Sequence, residues 1–221
     1  MLSFKQHLDE GKNDKAIFHI VFMAGGPGSG KSWVVKNLGL KIMNMALINS
    51  DIAFKVAMKK SLLSLAMPDD EKYAKDIVRD LSKKTTKKKL ELAIAGRLGL
   101  VIDGTGKDLA KIKKMKSSFE ELGYESAMIF VDTDLSTALQ RNIERGSEGD
   151  RTLDPKDVEK FWKEVQGNKG VYSSLFKEKF HLVDNSTGTE YAGFKKAYSK
   201  IKAWTSSLPS NKKAVKWIEE N

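Results

Sequence analysis

The sequence predicts an α/β protein in which helices cover both faces of a five-stranded parallel sheet, a three-layer α/β/α arrangement. The first observation is that short runs rich in β-branched and aromatic residues alternate with segments of helical periodicity. These runs lie at about residues 16–24, 45–49, 98–103, 126–132 and 180–183. The second is that a helix-length segment separates each run from the next. Such spacing favours parallel pairing, because a crossover connection returns the chain to the same edge of the sheet.

Length and composition limit the kinds of site that the chain can build. Its 221 residues are enough for a sizeable core, and we expect a single domain over residues 1–221. The sequence has no cysteine, and its histidines are the scattered His7, His19 and His181, which argues against disulfides and a metal cluster. We therefore expect any catalytic metal to be a hard cation held by oxygen atoms, such as Mg²⁺.

The sequence has neither the apolar core of a signal peptide near its start nor a run of about 18 apolar residues elsewhere. We therefore expect a cytoplasmic protein without membrane attachment. Residues 2–10 are predicted to form a short amphipathic helix that packs against the domain.

A glycine-rich segment joins the first predicted strand to the first predicted helix. It reads Gly25-Gly26-Pro27-Gly28-Ser29-Gly30-Lys31-Ser32 and matches the phosphate-loop pattern G-x-x-x-x-G-K-[ST]. Glycines let the backbone amides turn inward around a polyphosphate at the N-terminus of a helix. Lys31 is then expected to reach the β- and γ-phosphates, and the Ser32 hydroxyl to bind Mg²⁺. The alternative is a glycine-rich turn followed by a chance Lys-Ser pair.

Aspartates follow the second and third predicted strands. Ligands of open parallel sheets bind beyond the carboxyl ends of the strands, so Asp51 and Asp103 are expected near the phosphate loop. Asp51 is a candidate catalytic base, and the other interpretation is an N-cap for the helix at 52–58. Asp103 is the candidate for the second part of the Mg²⁺ site. The segment Asp103-Gly104-Thr105-Gly106 also fits the D-x-x-G of regulatory GTPases, but no N-K-x-D or T-K-x-D guanine reader is present.

Three arginines are predicted in or beside a mobile lid at about residues 141–155. Arg141 and Arg145 are spaced i, i+4 and project from one helix face, and Arg151 follows in a polar loop. Such guanidinium groups could close on a transferring phosphoryl group. The alternative is ordinary Arg–Glu pairing on a surface helix.

The segment between the second and third strands, about residues 52–97, is predicted to be a helical insert on the acceptor side. Its middle carries five lysines within 83–89, and the whole chain has a formal charge of +10. A basic helix face either binds nucleic-acid phosphates or is simply solvated. The tail at about residues 205–221 is predicted to be helical and to pack on the outside.

With these motifs in place, residues 16–205 resemble the P-loop kinase branch that includes nucleoside monophosphate kinases, zeta-toxin-like kinases and polynucleotide 5′-kinases. The resemblance implies strand order 2-3-1-4-5 and the use of ATP with Mg²⁺. It also implies that Asp51 activates an acceptor hydroxyl, that Lys31 and Arg145 contact phosphates, and that Arg141 stacks on adenine. Asp184 lies where the adenine-contacting loop is expected.

The same resemblance contains one departure. Ile102-Asp103-Gly104 followed by Lys107 is similar to the adenylate-kinase D-G-x-x-R segment, but a lysine stands where the arginine is expected. A carboxylate base suits a neutral hydroxyl rather than an acceptor phosphate. The leading hypothesis is therefore ATP-dependent phosphorylation of a hydroxyl, with a polynucleotide 5′-end or modified base as acceptor. A small-molecule kinase of zeta-toxin type and a non-catalytic nucleotide-binding switch are the alternatives.

Overall fold

The computed structural model describes residue 14 and residues 16–38, 45–64, 69–147, 152–186 and 190–221. The predicted N-terminal helix at 2–10 lies outside the described residues. Within the described part, five strands pair in parallel in the order β2-β3-β1-β4-β5, which confirms the predicted fold class and strand order. The strands are β1 His19–Ala24, β2 Ala46–Ile48, β3 Leu100–Asp103, β4 Glu125–Asp132 and β5 Phe180–Asp184.

Eight α-helices connect or flank these strands in the described part of the chain. They are α1 Lys31–Asn37, α2 Ser50–Lys60, α3 Lys72–Ala95, α4 Leu109–Glu121, α5 Leu135–Ser147, α6 Pro155–Phe176, α7 Glu190–Thr205 and α8 Lys212–Glu220. Among the described residues, none of the helices combines the length and the apolar character that crossing a membrane requires.

The central strand β1 shows why the sheet is covered on both faces. All six of its residues are buried, and alternate side chains enter two different cores. Ile20 and Phe22 pack with residues of α4 and α6, whereas Val21 and Met23 pack with residues of α1 and α7. The predicted strand begins too early, because residues 16–18 form a turn in which Phe18 has a φ of 58°.

The helix α8 packs against residues that flank the amino ends of the strands. Trp217 on α8 makes an edge-on contact with Phe18, with ring centroids 5.5 Å apart, and Ala214 is fully buried. Asn211 caps α8 by accepting from the Lys213 N–H at 2.9 Å. The tail therefore closes the end of the core opposite the carboxyl ends of the strands.

The helices α2 and α3 fill the predicted insert at 52–97 and pack against each other as a helical hairpin, called here the α2/α3 hairpin. They bury a small cluster of their own that consists of Phe54, Met58 and Val78. This cluster is separate from the two cores that cover the sheet. The end of α3 packs on the sheet instead, because Ala93 is buried in one of the two cores and Leu90 and Ile94 pack against that core. Only the remainder of the hairpin is held by its own cluster.

Candidate functional site

Residues 25–30 of the predicted phosphate-loop segment form a loop between β1 and α1, at the carboxyl end of the central strand, and Lys31 and Ser32 begin α1. Gly28 and Gly30 have φ angles of 72° and 77°, which an L side chain rarely adopts. Space is equally restricted, because a Cβ on Gly28 would overlap the Ala138 backbone and one on Gly30 would overlap the Asn185 side chain. Gly30 immediately precedes α1, so the first amides of that helix, those of Lys31 and Ser32, have no acceptor within the helix.

The loop is held by contacts from three directions. The Gly25 N–H donates to the Thr105 carbonyl at 3.0 Å, and the Asn185 side-chain amide donates to the Ser29 carbonyl at 2.7 Å. Arg141 donates to the Asn185 carbonyl at 2.9 Å and lies 3.4 Å from the Gly28 carbonyl. The loop is therefore shaped by its surroundings before any ligand is bound.

The long helix α6 bonds residues at the carboxyl ends of β3 and β4, next to the phosphate loop. The Trp162 indole N–H donates to the Thr133 carbonyl at 2.8 Å, while Asp132 accepts from Gln166 at 2.5 Å and from Lys169 at 2.8 Å. The Tyr172 hydroxyl donates to the Gly106 carbonyl at 2.6 Å. Burial raises the pKa of Tyr172 to about 12, and the negative charge of Asp108 acts in the same direction.

Lys31 and Asp103 form the charged centre of the site. The Lys31 ammonium lies 2.7 Å from Asp103 Oδ1, and the Asp103 side chain is only 3% exposed. The strand register explains this meeting, since Asp103 pairs with Met23 at the end of β1, next to the loop. The second oxygen, Oδ2, accepts from the side-chain amide of Asn49.

Asn49 also caps α2. Its Oδ1 accepts from the backbone N–H groups of Asp51 and Ile52 at 2.7 and 3.1 Å. The interpretation of Asp51 as the helix cap is therefore wrong, because the cap lies two residues earlier and Asp51 is in the first turn of α2. A single amide thus joins Asp103 to the helix that carries Asp51.

The Asp51 side chain is exposed and paired with an arginine from the other helix of the hairpin. Asp51 Oδ1 lies 2.7 Å from Arg79 on α3. The Arg79 guanidinium in turn sits over the Phe54 ring at 3.7 Å from its centroid. Arg79 therefore bridges the small hairpin cluster and the carboxylate.

The remaining predicted site residues are spread around this centre. Ser32 is exposed in the first turn of α1, and Arg145 is exposed on α5, one turn beyond Arg141. Arg151 lies outside the described residues. Asp184 ends β5 and accepts from the Ser186 N–H at 3.0 Å, whereas its neighbour Asn185 is the residue that reaches the phosphate loop.

Helix α5, which carries Arg141, begins at a strongly bonded aspartate. Asp134 accepts from the Ser136 hydroxyl at 2.5 Å, from the Thr137 N–H at 2.7 Å and from the Thr137 hydroxyl at 2.8 Å. These hydrogen bonds hold the pKa of the Asp134 carboxyl far below its ordinary range. The start of the helix is therefore fixed relative to β4.

Sequence reasoning missed Asn49, Asn185 and Arg79. Asn49 and Asn185 each stand directly after a strand, two residues before Asp51 and next to Asp184, so their signal was their position at the carboxyl ends of the strands. Arg79 lies in the middle of a long helix within no motif. Only the fold brings it to Asp51.

The donor set suits a magnesium nucleotide. The described residues contain no group of three or more His, Cys, Asp or Glu side chains that could hold a metal on its own. The Ser32 hydroxyl and the Asp103 carboxylate are oxygen donors of the kind Mg²⁺ takes together with phosphate oxygens. The positive φ angles of Gly28 and Gly30 open the amides of the loop to an anion, so the residues fit the group.

Comparison with solved structures shows the same fold in several proteins. A candidate kinase from Chloroflexus aurantiacus j-10-fl aligns with a TM-score of 0.58 at 13% identity, over 84% of this chain and 94% of that one. A chain of the Pnkp1/Rnl/Hen1 RNA repair complex aligns with a TM-score of 0.54 at 16% identity, over 69% of this chain and 45% of that one. The AvrRxo1-ORF1:-ORF2 complex with ATP gives a TM-score of 0.58 at 15% identity, over 81% of this chain and 61% of that one.

This chain therefore spans less than two thirds of the matched chains in the repair complex and the AvrRxo1 complex. A search among curated proteins found no match. The family model described as an AAA domain matches residues 20–164, which include the phosphate loop, Asp51, Asp103 and both described lid arginines. The extent of this match and the observed sheet show that the chain belongs to the AAA domain family and has a P-loop kinase-like fold.

Proposed function

We propose that the protein is an ATP-dependent phosphotransferase that phosphorylates a hydroxyl group. The observation that carries the proposal is the chain of contacts from Lys31 through Asp103 and Asn49 to the first turn of α2. It connects the phosphate loop to the helix that carries Asp51 through only two intervening side chains. A loop that binds nucleotide phosphates and a carboxylate beside it are the two parts that this reaction needs.

In the proposed mechanism, the amides of the phosphate loop and Lys31 bind the β- and γ-phosphates of ATP. Lys31 exchanges its contact with Asp103 for the phosphates, and Arg141 and Arg145 lie on the helix that borders the same loop. Mg²⁺, held by Ser32 and Asp103, supplies charge neutralisation when bound. Arg151 is proposed as a further lid residue on the sequence pattern alone.

The chemical step is in-line transfer to the acceptor. Asp51 Oδ2 accepts the hydroxyl proton while the hydroxyl oxygen bonds to the γ-phosphorus, and the bond from that phosphorus to the bridging oxygen of ADP breaks. Arg79 holds the other carboxylate oxygen, Oδ1, and so fixes the orientation of the base. Asp184, at the end of β5, is proposed to contact the adenine side of the nucleotide.

For the acceptor we propose a polynucleotide 5′-end or a modified base. Five exposed lysines on α3, at positions 83, 84, 87, 88 and 89, would attract phosphates, and the net charge of +10 favours a polyanion. The structural relation to a chain of an RNA repair complex supports this choice, and the relation to a complex with ATP supports the donor. A small-molecule kinase of zeta-toxin type and a non-catalytic nucleotide switch are the competing functions.

The test is transfer of label from γ-labelled ATP. DNA and RNA oligonucleotides with 5′-hydroxyl ends are compared at low salt with a panel of nucleosides, nucleotides and sugar nucleotides. The proposal is supported if the wild-type protein labels an oligonucleotide and Lys31→Ala does not. Label only on small molecules selects the small-molecule kinase, and nucleotide binding without label on any acceptor leaves the switch.

A further inference from the structure

We infer that Asn49 is a positioning residue that orients Asp103 and couples it to the helix carrying Asp51. The inference deepens the proposed function and rests on it for the role of Asp51. The inference has two parts, and the first of them, that Asn49 orients Asp103 toward a magnesium nucleotide, can be tested without any acceptor.

The Asn49 side chain carries a donor and an acceptor on separate atoms and uses both. Asn49 uses its oxygen for two amides of α2 and its nitrogen for Asp103. Serine, threonine and aspartate also cap helices, but a hydroxyl accepts and donates at one oxygen close to the backbone, and an ionised aspartate has no donor. Among these residues, only asparagine has a donor on a separate atom from its acceptor. The contact to Asp103 is therefore an addition to the cap and not a consequence of it.

The Asp103 carboxylate lies in a buried environment. Its side chain is 3% exposed, so each carboxylate oxygen needs a donor from the protein or a ligand. Lys31 supplies the donor to Oδ1 and Asn49 supplies the donor to Oδ2. When Lys31 turns to nucleotide phosphates, Asn49 keeps Oδ2 in place, and Oδ1 remains directed toward the loop.

The sheet register brings Asn49 and Asp103 together. Ile48 on β2 is paired with Ile102 on β3, so Asn49 and Asp103 are the next residues along two neighbouring strands. Their side chains meet because the backbone of the sheet brings them together. A movement of the start of α2 is thereby transmitted to Asp103, since the same side chain bonds both.

The experiment replaces Asn49 by residues that keep the cap. Asn49→Ser and Asn49→Thr can still accept from the amides of α2 but cannot reach Asp103 in the same way. The matched control is Asn211→Ser, which changes another asparagine cap, that of α8. Binding of a fluorescent ATP analogue is titrated with Mg²⁺ and repeated in EDTA.

We expect both Asn49 variants to need about 10-fold more Mg²⁺ for half-maximal binding, the usual scale for residues that orient a metal ligand. Binding in EDTA should change by less than about 2-fold, and Asn211→Ser should behave like the wild type. If Asn49→Ser and Asn49→Thr match the wild type, Asn49 is only a cap and the inference is wrong.

A second measurement uses the protein without metal or nucleotide. In a double-mutant cycle of Asn49→Ser with Asp103→Ala, the thermal midpoints should be non-additive by roughly 5 °C, because one hydrogen bond to a charged group is lost in either single variant. Additive midpoints would overturn the inference, even if a binding variant folds poorly. Absence of phosphoryl transfer to any acceptor would refute the proposed function but would leave both of these measurements unaffected.

Discussion

The sheet with its covering helices, which carries the phosphate loop and is called here the sheet half, and the α2/α3 hairpin are stabilised in different ways. The loop follows the buried central strand and is held by Arg141 of α5, which donates to the Gly28 carbonyl, and by Asn185 after β5, which donates to the Ser29 carbonyl. The hairpin has a cluster of three buried residues, and its functional candidates Asp51 and Arg79 hold each other near the surface. Under the proposed function, this difference predicts that changes in the hairpin alter the use of the acceptor more than the binding of the nucleotide.

The largest effect is expected from a substitution at the phosphate loop, in the sheet half. Lys31→Ala should lower phosphoryl transfer by about 10³-fold, because the cation that faces the phosphates is lost, and should weaken ATP binding as well. Steady-state kinetics and calorimetric titration with ATP measure the two effects. Lys36→Ala, an exposed change in the last turn of the same helix, is the control. Transfer within a few-fold of wild type in Lys31→Ala would remove the lysine from the mechanism.

The next prediction compares two methionines that are both 0% exposed, Met58 in the hairpin and Met128 in β4. Each change to alanine should cost about 2–5 kcal/mol of local stability, because a buried cavity is created. In Met58→Ala we expect faster amide hydrogen exchange over residues 50–95 with ADP affinity retained. In Met128→Ala we expect faster exchange across the sheet. Uniform loosening of the whole chain by Met58→Ala would show that the two halves are not separate.

Acid should lower the stability of the sheet half and not that of the α2/α3 hairpin. Burial, followed by the positive charges of Lys200 and Lys179, lowers the pKa of His181 to about 4, and burial also lowers the pKa of His19. Between pH 6.5 and 4 the unfolded chain binds protons that the folded chain does not, so stability is complete above this window and falls as pH falls through it.

The His181 contribution corresponds to roughly 3 kcal/mol lost by pH 4. Thermal midpoints measured from pH 7 to pH 4 should therefore decline less steeply in His181→Gln, with the remaining slope partly due to His19. The hairpin contains no histidine, so exchange rates over residues 50–95 should not rise ahead of those of the sheet. A pH profile identical to that of the wild type would contradict the assignment to His181.

The smallest effects come from two glycines in different environments. Gly30→Ala should destabilise the protein by about 1–2 kcal/mol, because φ is 77° and the new Cβ meets Asn185. Gly167→Ala, inside α6 with no atom within 4 Å of the new Cβ, should stabilise the protein by about 1 kcal/mol. Thermal unfolding distinguishes the two signs, and equal shifts would argue against a strained loop.

The same comparison explains what the sequence could and could not predict. The phosphate loop and the strand-end aspartates follow from local patterns, because glycine spacing and apolar runs determine them directly. Periodicity alone could not show which face of α3 is buried. Tyr73, Ile77 and Leu81 recur at helical spacing, yet they are 81%, 54% and 58% exposed. In that first part of α3 the buried residues include Val78 and Ser82 instead, whereas near the end of the helix Leu90 and Ile94 of the apolar spacing do pack against the core.

Contacts between distant segments were equally beyond local patterns. Arg79 reaches Asp51 only because α2 and α3 pack side by side, and Asn185 reaches Ser29 only through the order of the strands. Both contacts join residues far apart in the chain, so no spacing rule reveals them. The roles assigned to the site residues remain predictions that depend on these contacts.

The most direct test of the account is to measure ATP affinity and transfer rate in Asp51→Asn, with Asp76→Asn, another exposed aspartate of the hairpin, as the control. If the protein is the proposed phosphotransferase, Asp51→Asn binds ATP as the wild type does. Its phosphoryl transfer is about 10²- to 10⁴-fold slower, because only the base is lost. Unchanged transfer in Asp51→Asn would contradict the claim that the hairpin supplies the catalytic carboxylate.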